Sequence, residues 1–207
     1  FLTGPDTPGG RYLRRFWQPV LRASDIAPGD AKPIRIMSEN YTLYRGETGT
    51  LHLADHACAH RGTQLSTGFV EGDCIRCLYH GWMYDASGQC IEQPGEPAEF
   101  SAKIRIKTYP VAEYLGLVFG YFGEESAPPL RRFPELEGPG VLEIDPPEAW
   151  PCHFLNRLDN DMAHVPWTHR ESLKRVGQTV GHNTYAQTYE ETAFGVADPN
   201  GVGNPHV

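Results

Sequence analysis

Apolar residues recur along this chain in two rhythms. Between about Leu21 and Phe122 they come in short runs, Ile34 to Met37, Tyr41 to Tyr44, Leu51 to Leu53, Ile104 to Ile106 and Leu117 to Phe122, of the length and composition that suit strands. Asn40, Gly46, Gly49, Gly72, Gly88 and Gly95 fall between or beside the runs and mark turns. The pattern predicts an antiparallel all-β module of about a hundred residues. Ahead of it, Arg11 to Trp17 places apolar residues at helical spacing before Pro19, which predicts a short leading helix. Behind it, Gly123 to Pro151 carries Pro128, Pro129, Pro134, Pro139, Pro146, Pro147 and Pro151. So many prolines exclude regular structure and predict a linker or a wrapping arm. From Phe154 to about Arg175 the rhythm turns helical, and Thr184 to Phe194 suits a strand with Tyr185 and Tyr189 on one face. The expected organisation is a leading helix over 1–20, a β domain over 21–123, a proline-rich connection over 124–151 and a further domain beginning over 152–207, an α+β chain overall.

Composition narrows the function classes. With 207 residues and 40% hydrophobic residues the chain can bury a real core. Its net charge of -8 argues against generic binding to nucleic acid or an anionic membrane surface. No apolar run approaches the roughly 20 residues that span a bilayer, and no basic and apolar leader opens the chain. The expectation is a cytoplasmic protein with no nucleic-acid or membrane partner. Five cysteines without framework spacing make a disulfide scaffold a poor fit. The start at Phe1 and the loop-like run from Asp198 to Val207 are those expected of a fragment of a longer chain.

The candidate chemistry is concentrated between Cys58 and Trp82. Two short boxes, Cys58-Ala-His60-Arg-Gly62 and Cys77-Leu-Tyr-His80-Gly81-Trp82, each present one thiol and one imidazole. Such a pair of turns can hold a metal centre with sulfur at one end and nitrogen at the other. A Rieske [2Fe-2S] cluster has that division, one iron held by two cysteines and the other by two histidines. The expected donors are Cys58 and Cys77 to one iron, His60 and His80 to the other. Zinc is the competing occupant, because Cys74-x-x-Cys77 followed by His80 also composes a small knuckle. Against it stand the single residue between Cys58 and His60, tight for a tetrahedral zinc turn, and the glycine that closely follows each pair, which lets backbone wrap a bulky core. Cys74 is then a small buried residue or a bystander.

A second group lies in the helical stretch. Asp161, His164 and His169 stand close together, with Pro166 between the histidines able to bend the backbone and bring both rings to one point. Asp161 and His164 are three apart and lie side by side on a helix. Two imidazoles and a carboxylate are the usual holders of non-haem ferrous iron in oxygenases, although an ordinary polar helix face has the same composition.

Taken together, the Cys-x-His-Arg-Gly box, the Cys-x-Tyr-His-Gly-Trp box, the proline-rich connection and the Asp-x-x-His-x-x-x-x-His box resemble, over essentially the whole chain, the alpha subunit of Rieske non-haem iron oxygenases. The run His164-Val-Pro-Trp-Thr-His169 looks closer to the phthalate-type branch than to the naphthalene type. The resemblance implies an all-β Rieske domain followed by the start of an α/β helix-grip catalytic domain. It implies electrons from NAD(P)H through a reductase, often with a ferredoxin, a [2Fe-2S] cluster on the four residues named, and mononuclear Fe(II) on His164 and His169. It further implies O2 and an aromatic or related cyclic substrate, and a head-to-tail homotrimer in which Asp161 of one subunit links His164 to His80 of the next. A Rieske ferredoxin without catalysis would end near residue 125, short of these histidines.

Two departures from the family pattern stand out. The family's asparagine three before the bridging aspartate is replaced by Leu158, while Asn156 and Asp159 repeat the pattern two residues early, so Asp159 is an alternative bridge. The family's third iron ligand is a carboxylate far downstream, and Glu190, Glu191 and Asp198 come too soon after His169 to supply it. Of the remaining residues, Arg61 and Trp82 suit packing over the cluster or shaping a subunit contact and equally a plain core or surface role, and Tyr79 suits either a hydroxyl near a cluster sulfur or simple packing. His52, His56, His153 and His182 fit no ligand spacing, and Met162 and Trp167 suit core packing.

Overall fold

The computed structural model describes residues 2–156, 174–175, 177, 190–192 and 195–197, and the chain divides into two units, Phe1–Glu148 and Ala149–Val207. The first unit opens with helix α1, Pro8–Leu13, whose Thr7 cap accepts from the Gly10 amide at 3.0 Å while Pro8 occupies the first turn. These capping residues start the helix earlier than the apolar spacing suggests, and it ends before Trp17. The Trp17 indole instead donates to the Pro128 carbonyl at 2.8 Å.

Eleven strands follow in this unit: β1 Gln18–Arg22, β2 Ala31–Ile36, β3 Glu39–Arg45, β4 Leu51–Asp55, β5 Phe69–Glu71, β6 Cys74–Arg76, β7 Met83–Tyr84, β8 Cys90–Glu92, β9 Thr108–Tyr109, β10 Val111–Tyr114 and β11 Leu117–Gly120. A four-residue helix α2, Ala98–Ser101, lies between β8 and β9. The strands make three antiparallel sheets, ordered β1-β11-β10, β2-β3-β4-β9 and β5-β6-β7-β8.

The second of these sheets is the partition of the unit. Tyr41 and Leu43 of β3 and Leu53 of β4 enter one core with Ile26, Ile34, Val118 and Phe122. Tyr44 and Ala54, from the opposite face of the same strands, enter a second core with Leu65, Ile75, Trp82, Tyr84, Cys90 and Ile106. Strand alternation delivers this, since successive side chains point to opposite faces. Both faces of β3 are therefore buried, and the sheet of β5 to β8 is carried on the far side as a lobe.

The turns differ from expectation in one place. Asn40 pairs with Arg35 within the β2–β3 ladder, and the tight turn lies at Met37 and Ser38, both at positive φ. Two residues at positive φ match the right-handed twist of a hairpin, even where neither is glycine. The run Ile104 to Ile106 makes no sheet strand. It lies along the β7–β8 turn, with the Cys90 amide donating to the Ile104 carbonyl and the Ile106 amide to the Gly88 carbonyl, each at 2.9 Å. A side chain at Gly88 would meet that Ile106 carbonyl.

The proline-rich stretch wraps the β module. Tyr114 Oη donates to Glu137 at 2.8 Å and accepts from the Phe133 amide at 2.6 Å, and Ile144 lies against Gly116. In the second unit, Asn156 donates its amide to the His153 carbonyl, and β12, Glu190–Thr192, pairs with β13, Gly195–Ala197. Asp159, Asp161, His164 and His169, with Met162, Trp167, His182, Tyr185 and Tyr189, lie outside the described residues. Among the described residues no helix is long and apolar enough to cross a membrane.

Candidate metal centre

Two loops of one design leave the β5 to β8 lobe and its neighbour. In the first, which follows β4, the Cys58 amide donates to the Thr63 carbonyl at 2.8 Å and the Gly62 amide to the Cys58 carbonyl at 2.9 Å. In the second, between β6 and β7, the Cys77 amide donates to the Trp82 carbonyl at 2.8 Å and the Gly81 amide to the Cys77 carbonyl at 3.1 Å. Each loop thus closes on its cysteine four and five residues later. Each needs a glycine at the fourth position, Gly62 with φ 72° and Gly81 with φ 74°. This turn, repeated twice, is why glycine follows both boxes.

The loops bring the four proposed donors together as two unlike pairs. Cys58 and Cys77 are both 3% exposed and belong to the core of the lobe. The imidazoles of His60 and His80 face each other with ring centroids 4.6 Å apart, His60 half-buried and His80 exposed. Trp82, only 5% exposed, stacks on His60 at 4.6 Å and 9° and shields that ring from below. Tyr79, which is 63% exposed, lies against His80 with centroids 3.8 Å apart. The sulfur end is in the interior and the nitrogen end faces solvent.

Tyr79 does not reach the sulfurs, because its position in the loop faces it outward. The hydroxyl that does so belongs to Tyr84, whose Oη is 3.2 Å from Cys58 Sγ and accepts from the Ala59 amide at 3.1 Å. Tyr84 is fully buried, and its strand pairs it with Ile75. The signal for it was the alternation of Trp82 and Tyr84, two residues apart on one inward face. Arg61 is exposed. His52 stacks on Tyr44 away from the boxes. Cys74 begins β6 opposite Glu71, half-buried, and is not part of the thiol pair.

The protonation chemistry fits metal ligation. Burial, followed by the neighbouring His80, holds the His60 imidazole below its ordinary value, so the ring is neutral and able to coordinate. His60 Nδ1 is buried with no hydrogen-bond partner among the described residues. A buried ring nitrogen left without a partner is costly unless a ligand takes it up. Burial pushes the Cys58 thiol up, against the pull of the Tyr84 hydroxyl. A thiolate there needs a cation beside it, and a bound metal inverts that preference. Among the described residues no three acidic, cysteine or histidine side chains converge to hold a single metal ion. A buried thiol pair beside a facing pair of imidazoles matches the two unlike ends of a two-iron cluster.

Comparison with known proteins identifies the domain that carries these loops. A family model described as "Rieske [2Fe-2S] domain" matches residues 16–110. The 5,5'-dehydrodivanillate O-demethylase oxygenase subunit of Sphingobium sp. is 37% identical over 184 residues, 85% of this chain and 43% of that protein. The phthalate 4,5-dioxygenase oxygenase subunit of Pseudomonas putida is 32% identical over 165 residues, 78% of this chain and 34% of that protein. This chain therefore spans less than half the length of either relative. In solved structures, the oxygenase in the reduced oxygenase–ferredoxin complex of carbazole 1,9a-dioxygenase is similar with a TM-score of 0.52 and 34% identity, over 56% of this chain and 31% of that one.

Proposed function

This chain belongs to the Rieske non-haem iron oxygenases, and from that premise we propose that it is the electron-receiving part of an oxygenase alpha subunit acting on an aromatic or related cyclic compound. One observation carries the oxygenase over a free-standing electron carrier. The 184-residue similarity to an O-demethylase oxygenase subunit covers 85% of the chain, well beyond the Rieske domain at 16–110.

In this proposal Cys58 and Cys77 hold one iron of a [2Fe-2S] cluster, His60 and His80 hold the other, and His164 and His169 hold a mononuclear Fe(II). Bound there, the cluster supplies one-electron transfer at a raised potential, and the ferrous iron supplies activation of O2. The protein's own part is visible around the first site. Trp82 and the lobe core keep water from the thiols, the Tyr84 hydroxyl lies against Cys58 Sγ, and the backbone turns hold His60 half-buried and His80 exposed. His80, exposed, offers the edge at which electrons leave.

The rest of the proposal concerns residues and partners beyond the described site. Asp161, with Asp159 as the alternative, orients His164 from behind as a carboxylate partner to a ligating imidazole and links it to His80 of a neighbouring subunit in a head-to-tail trimer. A carboxylate outside this chain completes the iron site. A reductase drawing on NAD(P)H supplies electrons, and the oxygenase–ferredoxin complex among the similar structures supports a ferredoxin as the direct donor. The setting is the cytoplasm, with an O-demethylase and a dioxygenase among its relatives as guides to substrate class. The test is a metal and sulfide analysis with visible and electron paramagnetic spectra. A red-brown protein with acid-labile sulfide and at least as much iron is expected, and a colourless zinc protein would overturn the proposal.

A further inference from the structure

The two ligand turns are alike in backbone but are held from outside by different side chains. Tyr84 reaches the first turn from the core, at the Ala59 amide. The second turn is reached by Arg76, the residue just before Cys77. Arg76 Nη1 donates to the Gly81 carbonyl at 2.9 Å, spanning the whole turn from its entry to its exit. The rest of the guanidinium is committed to the other strands of the lobe. Nε and Nη2 form a fork on Glu71 at 2.6 and 2.9 Å, and Nη2 also donates to Glu92 at 2.9 Å and lies 3.2 Å from Met83 Sδ.

We propose that Arg76 is a positioning residue for the nitrogen end of the cluster, clamping the turn that carries His80 to strands β5 and β8. The inference rests on the assignment of a Rieske cluster to this site. Glu71 lies on β5 and Glu92 on β8, the two outer strands of the lobe, while Arg76 ends β6. One planar cation therefore joins three strands and the carbonyl at Gly81, the residue next to His80. The glycine sits at positive φ, where the backbone has no side chain of its own to brace it. The two backbone hydrogen bonds of the turn fix Cys77 against Gly81 and Trp82, and the guanidinium adds a side-chain strut across the same turn.

The geometry specifies arginine over lysine. Five donors in a rigid fork can serve two carboxylates and a carbonyl in different directions, whereas an ammonium is a point charge on a flexible stem. Charge and position can therefore be separated. Arg76→Lys keeps the charge beside the turn and loses the fork; Arg76→Gln loses both. Glu92→Gln keeps Arg76 on Gly81 and Glu71 and removes one anchor and one negative charge.

The test uses the full chain carrying its cluster, with circular dichroism to establish that each variant is folded. The rate of iron release to a chelator and the electron paramagnetic spectrum report on ligand position, and the reduction potential reports on charge. Wild-type protein with iron and labile sulfide establishes the cluster itself; its absence would remove the underlying assignment, a failure distinct from that of the clamp. With the cluster present, Arg76→Lys is expected to release iron faster by on the order of tenfold, as for other groups that orient a ligand, and to alter the spectrum. Arg76→Gln is expected to do the same and to lower the potential, two carboxylates being left without their cation. Glu92→Gln is expected to raise the potential and to speed release by less. Wild-type release and spectrum in a folded Arg76→Lys, or in Glu92→Gln should the arginine variants not fold, would overturn the proposal.

Discussion

Tyr84 Oη lies 3.2 Å from Cys58 Sγ while accepting from the Ala59 amide at 3.1 Å. The amide takes one lone pair of the hydroxyl, and a cluster-bound thiolate can only accept, so with the cluster in place the hydroxyl proton is directed to the sulfur. A donor on a cluster sulfur favours the reduced, more negative state. Tyr84→Phe is expected to lower the reduction potential by on the order of 40 mV, the one-electron equivalent of about 1 kcal/mol for one hydrogen bond. Tyr79→Phe, its hydroxyl in solvent, is expected to leave the potential unchanged. A redox titration in which the two variants behave alike would contradict this assignment.

The two turn glycines differ in their surroundings. Both sit at positive φ, but a side chain at Gly62 would meet open space, whereas at Gly81 it would approach Pro94 Cγ at 3.1 Å. Gly62→Ala is expected to cost about 1–2 kcal/mol from backbone strain alone. Gly81→Ala should cost more, with poorer incorporation of the cluster. Denaturant unfolding compared with iron content checks the order, and an equal or reversed ranking would refute it.

Three carboxyls are held below their usual range by arginines: Asp25 by Arg22, Glu71 by Arg76, and Glu137 by Arg132 and then Tyr114. A carboxyl whose folded value is depressed contributes stability above its unfolded value, and that stability is lost as pH falls through the folded value. The ordinary glutamate value is 4.5 and the ordinary aspartate value 3.8. Thermal midpoints of the chain are therefore expected to fall as pH drops below about 4.5. The fall should be shallower in a combined Asp25→Asn, Glu137→Gln variant, and a wild-type midpoint that stays level down to pH 3 would exclude this linkage.

The two proposed metal sites should be separable. His164→Ala or His169→Ala in the active oxygenase is expected to abolish oxygen insertion while leaving the visible and paramagnetic spectra of the cluster intact. Loss of the cluster signal in either variant would contradict a two-site arrangement. His80→Ala should instead remove the cluster spectrum itself.

What could be read from sequence was local. Cys58, His60, Cys77 and His80 with their following glycines stood out as candidate donors because such a turn is a backbone requirement over six residues, satisfied or not within its own stretch. The prolines after Gly123 announce an arm for the same reason, since each removes an amide donor wherever it stands. Three strands of the main sheet, β2 to β4, were also visible from their apolar runs, that of β3 being buried on both faces. Short strands were not. β6, β7 and β8 are two or three residues long, too brief for a period to register, and the turn at Met37 and Ser38 lacks the usual glycine or asparagine.

Tertiary structure decided which polar group serves which ligand. Tyr79 lies inside the second box and Tyr84 two residues past it, yet only Tyr84 alternates inward onto Cys58, which is 26 residues away along the chain. Arg76 is beside Cys77 in sequence, but its role depends on Glu92, 16 residues on, arriving by way of the outer strand of the lobe. The sequence by itself determined which residues are candidates for the centre, because ligation depends on residue type and short spacing. How its sulfurs are bonded, which ring is shielded and which turn is braced depended on the pairing of strands, a matter of distances between residues that the chain order does not contain.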